Sequence, residues 1–359
     1  MSNKSGAYEV VKGTGSTGEL ERYRNTFEQN GSPRKIDNLT WLHQQNLAGT
    51  NTIFYAMHEN NIAAIYTALP VVFQIRQQTS TALQSIDTIT DEKHRGKGLF
   101  PKLANELYQD AEKNNFSLVY GFPNENSAPG FFKKLGWTSF GEAPFIIKPL
   151  SISYFIKKLL NRKKESSASQ EEENHFFSLA GRKDLSKRIH LEPVSEFGEA
   201  YNELWKQVST GIGVCADRSA AYMNWRYVAR PESYYSSIGF FEDGRLRGVI
   251  VFTIKNKHQG RVGYIMELIY DTTQPAIGKA LLTYANKICK AEDADVILAW
   301  AFEHSFNYGA YKKTGYFNFP VKFRPQHLFL GVRVFDESQA STINNISNWY
   351  ISYSDSDTV

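Results

Sequence analysis

The sequence predicts an α+β protein built from two tandem units, each a mixed twisted sheet flanked by helices. Three observations lead to this prediction. Strand-like apolar runs alternate with amphipathic helices along the 359 residues. Hydrophobic residues make up 42% of the chain, which is enough to bury two cores of ordinary domain size. The two halves also repeat the same order of elements at a nearly constant offset.

The first half begins with a short strand, continues with two helices and then forms a run of strands around a third helix. Alternating or continuous apolar residues predict strands, and apolar residues at three- and four-residue steps predict helices. The predicted strands are 8–11, 53–58, 62–74, 84–90, 117–122 and 144–149, and the predicted helices are 19–29, 39–46 and 99–115. We expect the strand at 144–149 to close the first unit.

The internal repeat is clearest where a short basic segment ends in glycine and an aromatic residue. FKKLGW at 132–137 aligns with YKKTGY at 311–316, which is an offset of 179 in residue number. At the same offset and without a gap, SLVYGF at 117–122 falls on VILAWA at 296–301. Strand, helix, turn and closing pair therefore agree at one spacing, as expected for two copies of one unit.

The repeat divides the chain into two domains with a connection between them. We predict a first domain at 1–150, a helix and polar linker at 151–184, and a second domain at 185–359. The linker is basic, then small and polar, then acidic, without apolar periodicity. From Tyr350 onward we expect a sheet-edge strand and an acidic terminus.

Composition excludes several classes of function. The net charge is only +4, and no block of Lys and Arg is interleaved with aromatic residues, so we predict no nucleic-acid binding. Cys215 and Cys289 lack metal-ligand spacing, so we predict no metal site. No apolar run reaches the roughly 18 residues of a membrane span. The N-terminus lacks the apolar core of a signal peptide, and we therefore expect a cytoplasmic protein.

A basic loop with two glycines lies between a predicted strand and a predicted helix. The first turn of a helix presents unpaired backbone N–H groups at the positive end of its dipole. Glycine permits positive φ and lets an anion approach those groups. The pattern is neither the Walker sequence nor GxGxxG. We predict an anion-binding loop formed by Lys93, His94, Arg95, Gly96, Lys97 and Gly98.

With this loop, the first half resembles the GCN5-related N-acetyltransferases. Their signature is Gln/Arg-x-x-Gly-x-Gly/Ala at the start of a helix, and Lys93 stands here in the Gln/Arg place. The Asn-containing turn FPNENS at 122–127 and the closing FKKLGW at 132–137 extend the resemblance over residues 84–137. The resemblance implies a sheet whose fourth and fifth strands splay apart, with the pantetheine of coenzyme A (CoA) in the gap.

The resemblance also implies acetyl-CoA, or another acyl-CoA, as the co-substrate. The pyrophosphate would bind at the loop, and the pantetheine would pair with backbone groups of the splayed strand. The implied cofactor-binding residues are Ile89, Thr90, Asp91, Lys93, His94, Arg95, Gly96, Lys97, Gly98, Leu99 and Asn126.

The catalytic residues follow less directly from the resemblance. The family often uses a Tyr near the closing Gly-aromatic pair to protonate the departing thiolate, and Phe132 stands in that place. The alternatives are Tyr120, Asn124, Asn126, water and unassisted departure of the thiolate. Asp87 is the candidate general base, because strand alternation places it near the end of the strand that faces the splay.

The second copy lacks the features of the loop. At offset 179, Gly96 becomes Pro275 and Gly98 becomes Ile277. Proline has no N–H to offer and isoleucine crowds the approach. We therefore predict a degenerate second domain that binds no phosphate there. Tyr311, which replaces Phe132, is expected to serve packing.

These observations predict an N-acyltransferase, in the simplest case an N-acetyltransferase, acting on a small-molecule amine. By resemblance to tandem bacterial relatives, the acceptor would be an amino sugar of a surface polysaccharide. One alternative is an aminoacyl transferase of the peptidoglycan-bridge kind, which uses aminoacyl-tRNA but lacks the phosphate loop and carries a helical arm. The other is a non-catalytic acyl-CoA-binding module, which the missing tyrosine favours.

Overall fold

The computed structural model describes residues 8–49, 52–151, 173–179, 181–324 and 326–356. The helix predicted at 151–160 and the polar linker after it lie outside these residues, apart from residues 151, 173 and 174. Within the described ranges, no helix has the length and apolar character needed to cross a bilayer.

The described residues form two compact units. The first unit contains those of Met1–Ala143, Arg230–Glu232 and His327–Asn348. The second unit contains those of Pro144–Ala229, Ser233–Gln326 and Trp349–Val359.

Most strands of the two units are short, and four are longer than ten residues. In chain order they are β1 (Glu9–Lys12), β2 (Thr52–His58), β3 (Asn61–Ile75), β4 (Gln78–Thr90), β5 (Leu118–Gly121), β6 (Thr138–Glu142), β7 (Phe145–Pro149), β8 (Glu173–Asn174), β9 (Lys183–Asp184), β10 (Ile189–Pro193), β11 (Val214–Ala216), β12 (Ser236–Glu242), β13 (Arg245–Lys257), β14 (Gly260–Tyr270), β15 (Val296–Trp300), β16 (Phe317–Asn318) and β17 (Phe329–Val334).

The helices alternate with these strands. They are α1 (Thr17–Gln29), α2 (Ile36–Gln44), α3 (Leu99–Lys113), α4 (Ala128–Lys134), α5 (Glu199–Ser209), α6 (Ala220–Met223), α7 (Pro275–Ala291), α8 (Tyr308–Lys313) and α9 (Ala340–Ile343). A π-helical turn at Asn224–Val228 follows α6, and short 3₁₀ turns include Glu92–His94 and Tyr353–Asp355.

In the first unit the strands follow the order β1-β2-β3-β4-β5-β17-β6. β4 and β5 are parallel, and the other neighbours in this order are antiparallel. α3 lies between β4 and β5 in the chain and buries Leu103 and Leu107 in one core with Leu83 and Val119. α1 and α2 contribute to a second core, in which Tyr23 is fully buried. The four-residue apolar spacing of α3 thus corresponds to its packed face.

The second unit repeats this order. Its strands run β10-β12-β13-β14-β15-β7-β16, with β9 beside β10 and β8 on β13. β14 and β15 are parallel, and α7 lies between them in the chain, as α3 does between β4 and β5. The predicted α+β class with two mixed sheets and flanking helices is therefore confirmed.

Both sheets gain a strand from the other half of the sequence, β17 in the first and β7 in the second, which the sequence patterns did not predict. β7, expected to close the first unit, pairs with β15 and β16 in the second sheet. β17 takes the corresponding place between β5 and β6 in the first sheet. Both strands are short, apolar and antiparallel to their neighbours, so either would complete either ladder. Local sequence alone therefore gives no signal for the exchange.

The segment from Trp349 to Ser356 does not form the sheet-edge strand expected from Tyr350 onward. All eight residues are buried in the second unit, and Tyr353–Asp355 form a 3₁₀ turn. The Arg218 guanidinium donates to the Asp355 carboxylate at 2.5 Å, and Ser352 Oγ donates to Glu267 at 2.9 Å. These buried partners satisfy polar groups that an exposed edge strand would leave to water.

Candidate active site

The loop before α3 holds both of its glycines in the left-handed region. Gly96 has a φ of 77° and Gly98 of 71°, and α3 begins directly after Gly98. A Cβ at either position would meet no atom within 4 Å, so the need for glycine is conformational rather than steric. Among the described residues, the N–H groups of Gly96, Lys97 and Gly98 donate to no other group. Three unpaired N–H groups thus lie at the positive end of the helix dipole, which suits a phosphate.

A side-chain capped turn sets the course of the chain into this loop. The Asp91 carboxylate accepts from the backbone N–H of Lys93 at 2.9 Å, and the Asp91 N–H donates to the Ala63 carbonyl of β3 at 2.9 Å. Asn30, just after α1, accepts from the Glu92 N–H at 3.2 Å. Asp91 therefore shapes the turn with its side chain. The contribution of Asn30 was missed, because a residue so distant in sequence gives no local signal.

The loop itself contains three cationic side chains, those of Lys93, Arg95 and Lys97. Arg95 lies 3.2 Å from Glu92, but both side chains are more than half exposed. Such a pair is weak, so Arg95 is available to an anion. Lys97 lies over the Tyr8 ring at 5.6 Å, and the Lys93 side chain makes no polar contact within the described chain. The loop thus carries excess positive charge beside its free N–H groups.

His94 packs into a small aromatic cluster beside the loop. The Tyr8 hydroxyl and His94 Nδ1 share a hydrogen bond of 2.8 Å. The His58 ring lies 5.1 Å from the His94 ring and 5.0 Å from the Tyr8 ring. Tyr8 and His58 come from the β1 and β2 regions, which the sequence patterns did not connect with the loop.

A gap opens beside β4 directly before the loop. β4 pairs with β5 only from Ala82 to Ser85, where β5 ends at Gly121. The rest of β4 continues along β3, with Ile89 opposite Ile65 and Thr90 opposite Ala64. One edge of β4 after Ser85 therefore has no strand neighbour within the described sheet. Its backbone polar groups are available for an extended ligand.

Asp87 lies at an irregularity of β4, where the register with β3 shifts between Tyr66 and Ala68. Its carboxylate is buried and accepts from the Tyr23 hydroxyl at 2.8 Å and from Arg34 Nη2 at 2.7 Å. Burial, followed by the Asp87 charge, holds the pKa of Tyr23 well above its usual value, so Tyr23 remains a donor. The structure thus places the candidate base in an ion pair with Arg34.

The other catalytic candidates occupy three different environments. Tyr120 on β5 is buried, and its ring lies 5.1 Å from that of Phe73. Asn124 Oδ1 accepts from the N–H groups of Asn126 and Ser127 at 3.0 and 3.1 Å and so shapes the turn into α4. Asn126 itself is exposed. The three residues therefore differ in burial and in hydrogen bonding, and their catalytic roles stay predictions.

Phe132, which stands in the place of the family's tyrosine, is a packing residue in this structure. A Cβ on Gly331 of β17 would lie 2.5 Å from the Phe132 ring, and Phe329 is its edge-on neighbour at 6.4 Å. The ring therefore fills space beside the exchanged strand.

Within the described residues, the second unit has neither the loop nor the open gap. α7 begins at Pro275 after Gln274, which has a φ of −124°, and Ile277 is 2% exposed in the core. The Tyr353 ring stacks on Trp300 of β15 at 4.7 Å and meets Tyr264 of β14 edge-on at 5.5 Å. The C-terminal segment thus fills the place where β14 and β15 diverge.

Comparison with known proteins gives the family of the loop-bearing part. Residues 18–140 match the family model described as an acetyltransferase (GNAT) domain. This part of the chain belongs to the GNAT family. The GNAT match contains the loop, the open edge of β4 and Asp87. No curated protein is a significant match to the sequence.

Solved structures share the fold across both units at low sequence identity. A probable N-acyltransferase of unknown function from Enterococcus faecalis is 10% identical to this chain and has a TM-score of 0.62. The superposition covers 93% of this chain and 74% of the Enterococcus faecalis chain. A GCN5-related N-acetyltransferase from Anabaena variabilis is 14% identical and has a TM-score of 0.61, and the superposition covers 92% of this chain and 74% of the Anabaena variabilis chain. Saccharomyces cerevisiae N-myristoyltransferase with bound myristoyl-CoA is 14% identical and has a TM-score of 0.58, and the superposition covers 92% of this chain and 81% of the yeast chain. These likenesses support the tandem fold.

Proposed function

We propose that the protein is an N-acyltransferase that moves an acyl group from acyl-CoA to an amine. The observation that carries this proposal is the set of three unpaired N–H groups at Gly96, Lys97 and Gly98, directly after an open strand edge. Pyrophosphate fits the first feature and the amide-bearing pantetheine arm fits the second. The myristoyl-CoA bound to the yeast relative adds support for an acyl-CoA donor.

In the proposed reaction, the amine nitrogen attacks the thioester carbonyl carbon and the C–S bond breaks. The amine loses one proton, and the departing CoA thiolate takes one up. We propose Asp87 as the residue that accepts the first proton. Because Asp87 is paired with Arg34, either this ion pair opens during the reaction or a water molecule carries the proton to the carboxylate. Because the Phe132 side chain has no proton to give, Tyr120, Asn124, Asn126 and water remain the proposed sources of the second proton, with unassisted departure of the thiolate as the alternative.

The division of labour proposed for the chain assigns donor binding to the first domain, 1–150, and none to the second, 185–359. α7 begins at Pro275 after Gln274, whose φ of −124° is not left-handed, and this difference from the loop before α3 supports the assignment. The buried C-terminal segment in the corresponding gap supports it further. For the acceptor we propose a small primary amine, with amino sugars as the first candidates.

The donor site is tested by replacing both loop glycines with valine. The left-handed φ of Gly96 and Gly98 is strained for a β-branched residue, so we expect CoA affinity measured by calorimetry to fall by at least about 100-fold. Gly244→Val is the matched control, because Gly244 has a φ of 76° and no neighbour within 4 Å of an added Cβ. Unchanged CoA affinity in the double variant would reject the site.

Catalysis is tested separately from binding. Release of free thiol from acetyl-CoA is measured with a panel of amino sugars, polyamines and amino acids. Asp87→Asn should lower kcat by about 100-fold or more and leave CoA affinity unchanged. Thiol release that never exceeds hydrolysis with any amine, in a protein that binds CoA, would favour the non-catalytic binding module. Transfer from aminoacyl-tRNA would favour the peptidoglycan-bridge alternative.

A further inference from the structure

The outer side of α7 in the second unit carries a row of lysines between two open depressions. Lys279, Lys287 and Lys290 are exposed and lie on one side of this helix. The smaller depression has a volume of about 330 Å³ and the larger of about 400 Å³, and Lys279 and Lys287 line both.

The larger depression, here called the lysine depression, is lined by an unbalanced set of charges. Among the described residues, five of its ten lining residues are lysines and none is acidic. The same part of the chain offers these lysines no ion pair. The five charges exceed the net charge of +4 of the whole protein. Like charges converging on one concave surface repel each other unless an anion binds between them. The lysines are Lys148, Lys279, Lys287, Lys290 and Lys313.

One of these lysines is held in place by the fold. Lys148 Nζ on β7 donates to the Thr314 carbonyl at 2.6 Å, at the end of α8. A Cβ on Gly315 would lie 2.8 Å from that nitrogen, so the glycine leaves room for it. Burial lowers the pKa of Lys148, which is a cost that a bound anion would offset. The depression therefore has at least one fixed ammonium group.

The first unit shows that the fold does not require this charge. Arg333 on β17 occupies the place of Lys148 and donates to the Leu135 carbonyl at the end of α4 at 2.8 Å. There the cation has a carboxylate, Glu112, at 3.8 Å and lies over the Tyr108 ring. The buried faces of α3 and α7 correspond at an offset of 178, at which Glu112 becomes Lys290 and Tyr108 becomes Asn286. The second copy has thus lost the acid and gained lysine at this surface.

We infer that the lysine depression binds a ligand that carries two or more phosphate groups. Lysine ammonium groups bind phosphate as point charges, and the volume suits a small molecule or headgroup. The described lining offers no Arg and no aromatic ring, so recognition of nucleic-acid bases is not favoured. Lys287 and Lys290 lie toward the end of α7, whereas the position corresponding to the CoA loop is at the start of this helix. This inference stands independently of the proposed acyl transfer.

The test is calorimetric titration with inorganic pyrophosphate and with inorganic monophosphate. It uses the full chain carrying Gly96→Val and Gly98→Val, so that the CoA loop does not contribute. We expect pyrophosphate to bind at least about tenfold more tightly than monophosphate, because two charges engage the depression. Adding Lys287→Gln and Lys290→Gln should weaken pyrophosphate binding by at least about tenfold. Lys187→Gln with Lys206→Gln is the control of equal charge change, and it should have no effect.

Each remaining outcome decides the inference. Equal weakening by the control pair, or equal affinity for both anions, would mean unspecific attraction to a basic surface and would overturn it. Sedimentation with phosphatidylglycerol vesicles, lost in the Lys287/Lys290 variant, without pyrophosphate binding would assign the surface to a membrane instead. Binding of both pyrophosphate and vesicles of a diphosphate-bearing lipid would support the inference and identify a headgroup as the source. In a second arm, the same titrations are repeated with variants that keep the wild-type acyl-transfer residues. The result for the lysine depression can therefore be interpreted even if the proposed acyl transfer is not observed.

Discussion

Replacing Arg218 with methionine should strongly destabilise the second unit. Arg218 is fully buried and donates to Glu267 at 3.1 Å, to Asp355 at 2.5 Å and to the Ala216 carbonyl at 2.7 Å. Burial lowers the pKa of Arg218, but the two carboxylates more than offset this and raise it well above its usual value. Methionine would fill part of the space and leave two buried carboxylates facing each other.

The magnitude follows from that geometry. Removing one partner of a buried ion pair costs about 3–5 kcal/mol, because the remaining charge has no compensation. That is a large fraction of the roughly 5–15 kcal/mol that stabilises a typical domain. Both carboxylate side chains are only 1% exposed, so water cannot replace the guanidinium without rearrangement. We therefore expect a loss near the upper end of this range for Arg218→Met.

Urea unfolding followed by tryptophan fluorescence measures the loss, since the chain has six tryptophans. A double-mutant cycle with Glu267→Gln isolates the interaction and should give a coupling of about 2 kcal/mol or more. CoA affinity of the folded variant should be unchanged, because the loop belongs to the first unit. A loss below about 1 kcal/mol for Arg218→Met would refute the reasoning.

Three further outcomes follow from the structure. Native mass spectrometry should find one CoA per chain, and two would contradict the degenerate second unit. Gly331→Ala should destabilise the protein by about 1–3 kcal/mol in the same urea assay, because the new Cβ would lie 2.5 Å from the Phe132 ring; Gly309→Ala, which meets nothing within 4 Å, should not. Burial raises the pKa of Cys289 to about 12 and also raises that of Cys215, so both thiols should stay protonated in the native protein. Neither should react with Ellman's reagent near about pH 8 until the protein unfolds, and rapid release of one equivalent would contradict this.

Much of the fold was predictable because it depends on local patterns and on the internal repeat. The apolar steps of α3 indicated its buried face, and the constant offset between the two halves indicated the second sheet order. The exchange of β7 and β17 was not predictable, because each strand fits the ladder of either sheet. The buried C-terminal segment was also missed, since its alternating sequence resembles an edge strand and its partner Arg218 is distant in sequence.

The candidate site was predictable to the extent that it is continuous in sequence. The glycines and the strand–loop–helix order indicated the N–H groups at residues 96–98, because glycine conformation is a local property. Side chains from other elements carried no such signal. Arg34 pairs with Asp87 across 53 residues, and Tyr8 meets His94 across 86. The sequence therefore named the candidate base without showing that it is already bound to a cation.

The two units serve as controls for each other. Both contain the parallel strand pair, the intervening helix and a cation from an exchanged strand at the end of the short helix. Features present in only one unit are therefore not demanded by the fold. Gly96 and Gly98 with the open edge of β4 distinguish the first unit, and the lysine depression distinguishes the second. Since an open strand edge and a cluster of like charges both cost stability when unoccupied, each is best explained by a ligand of matching chemistry.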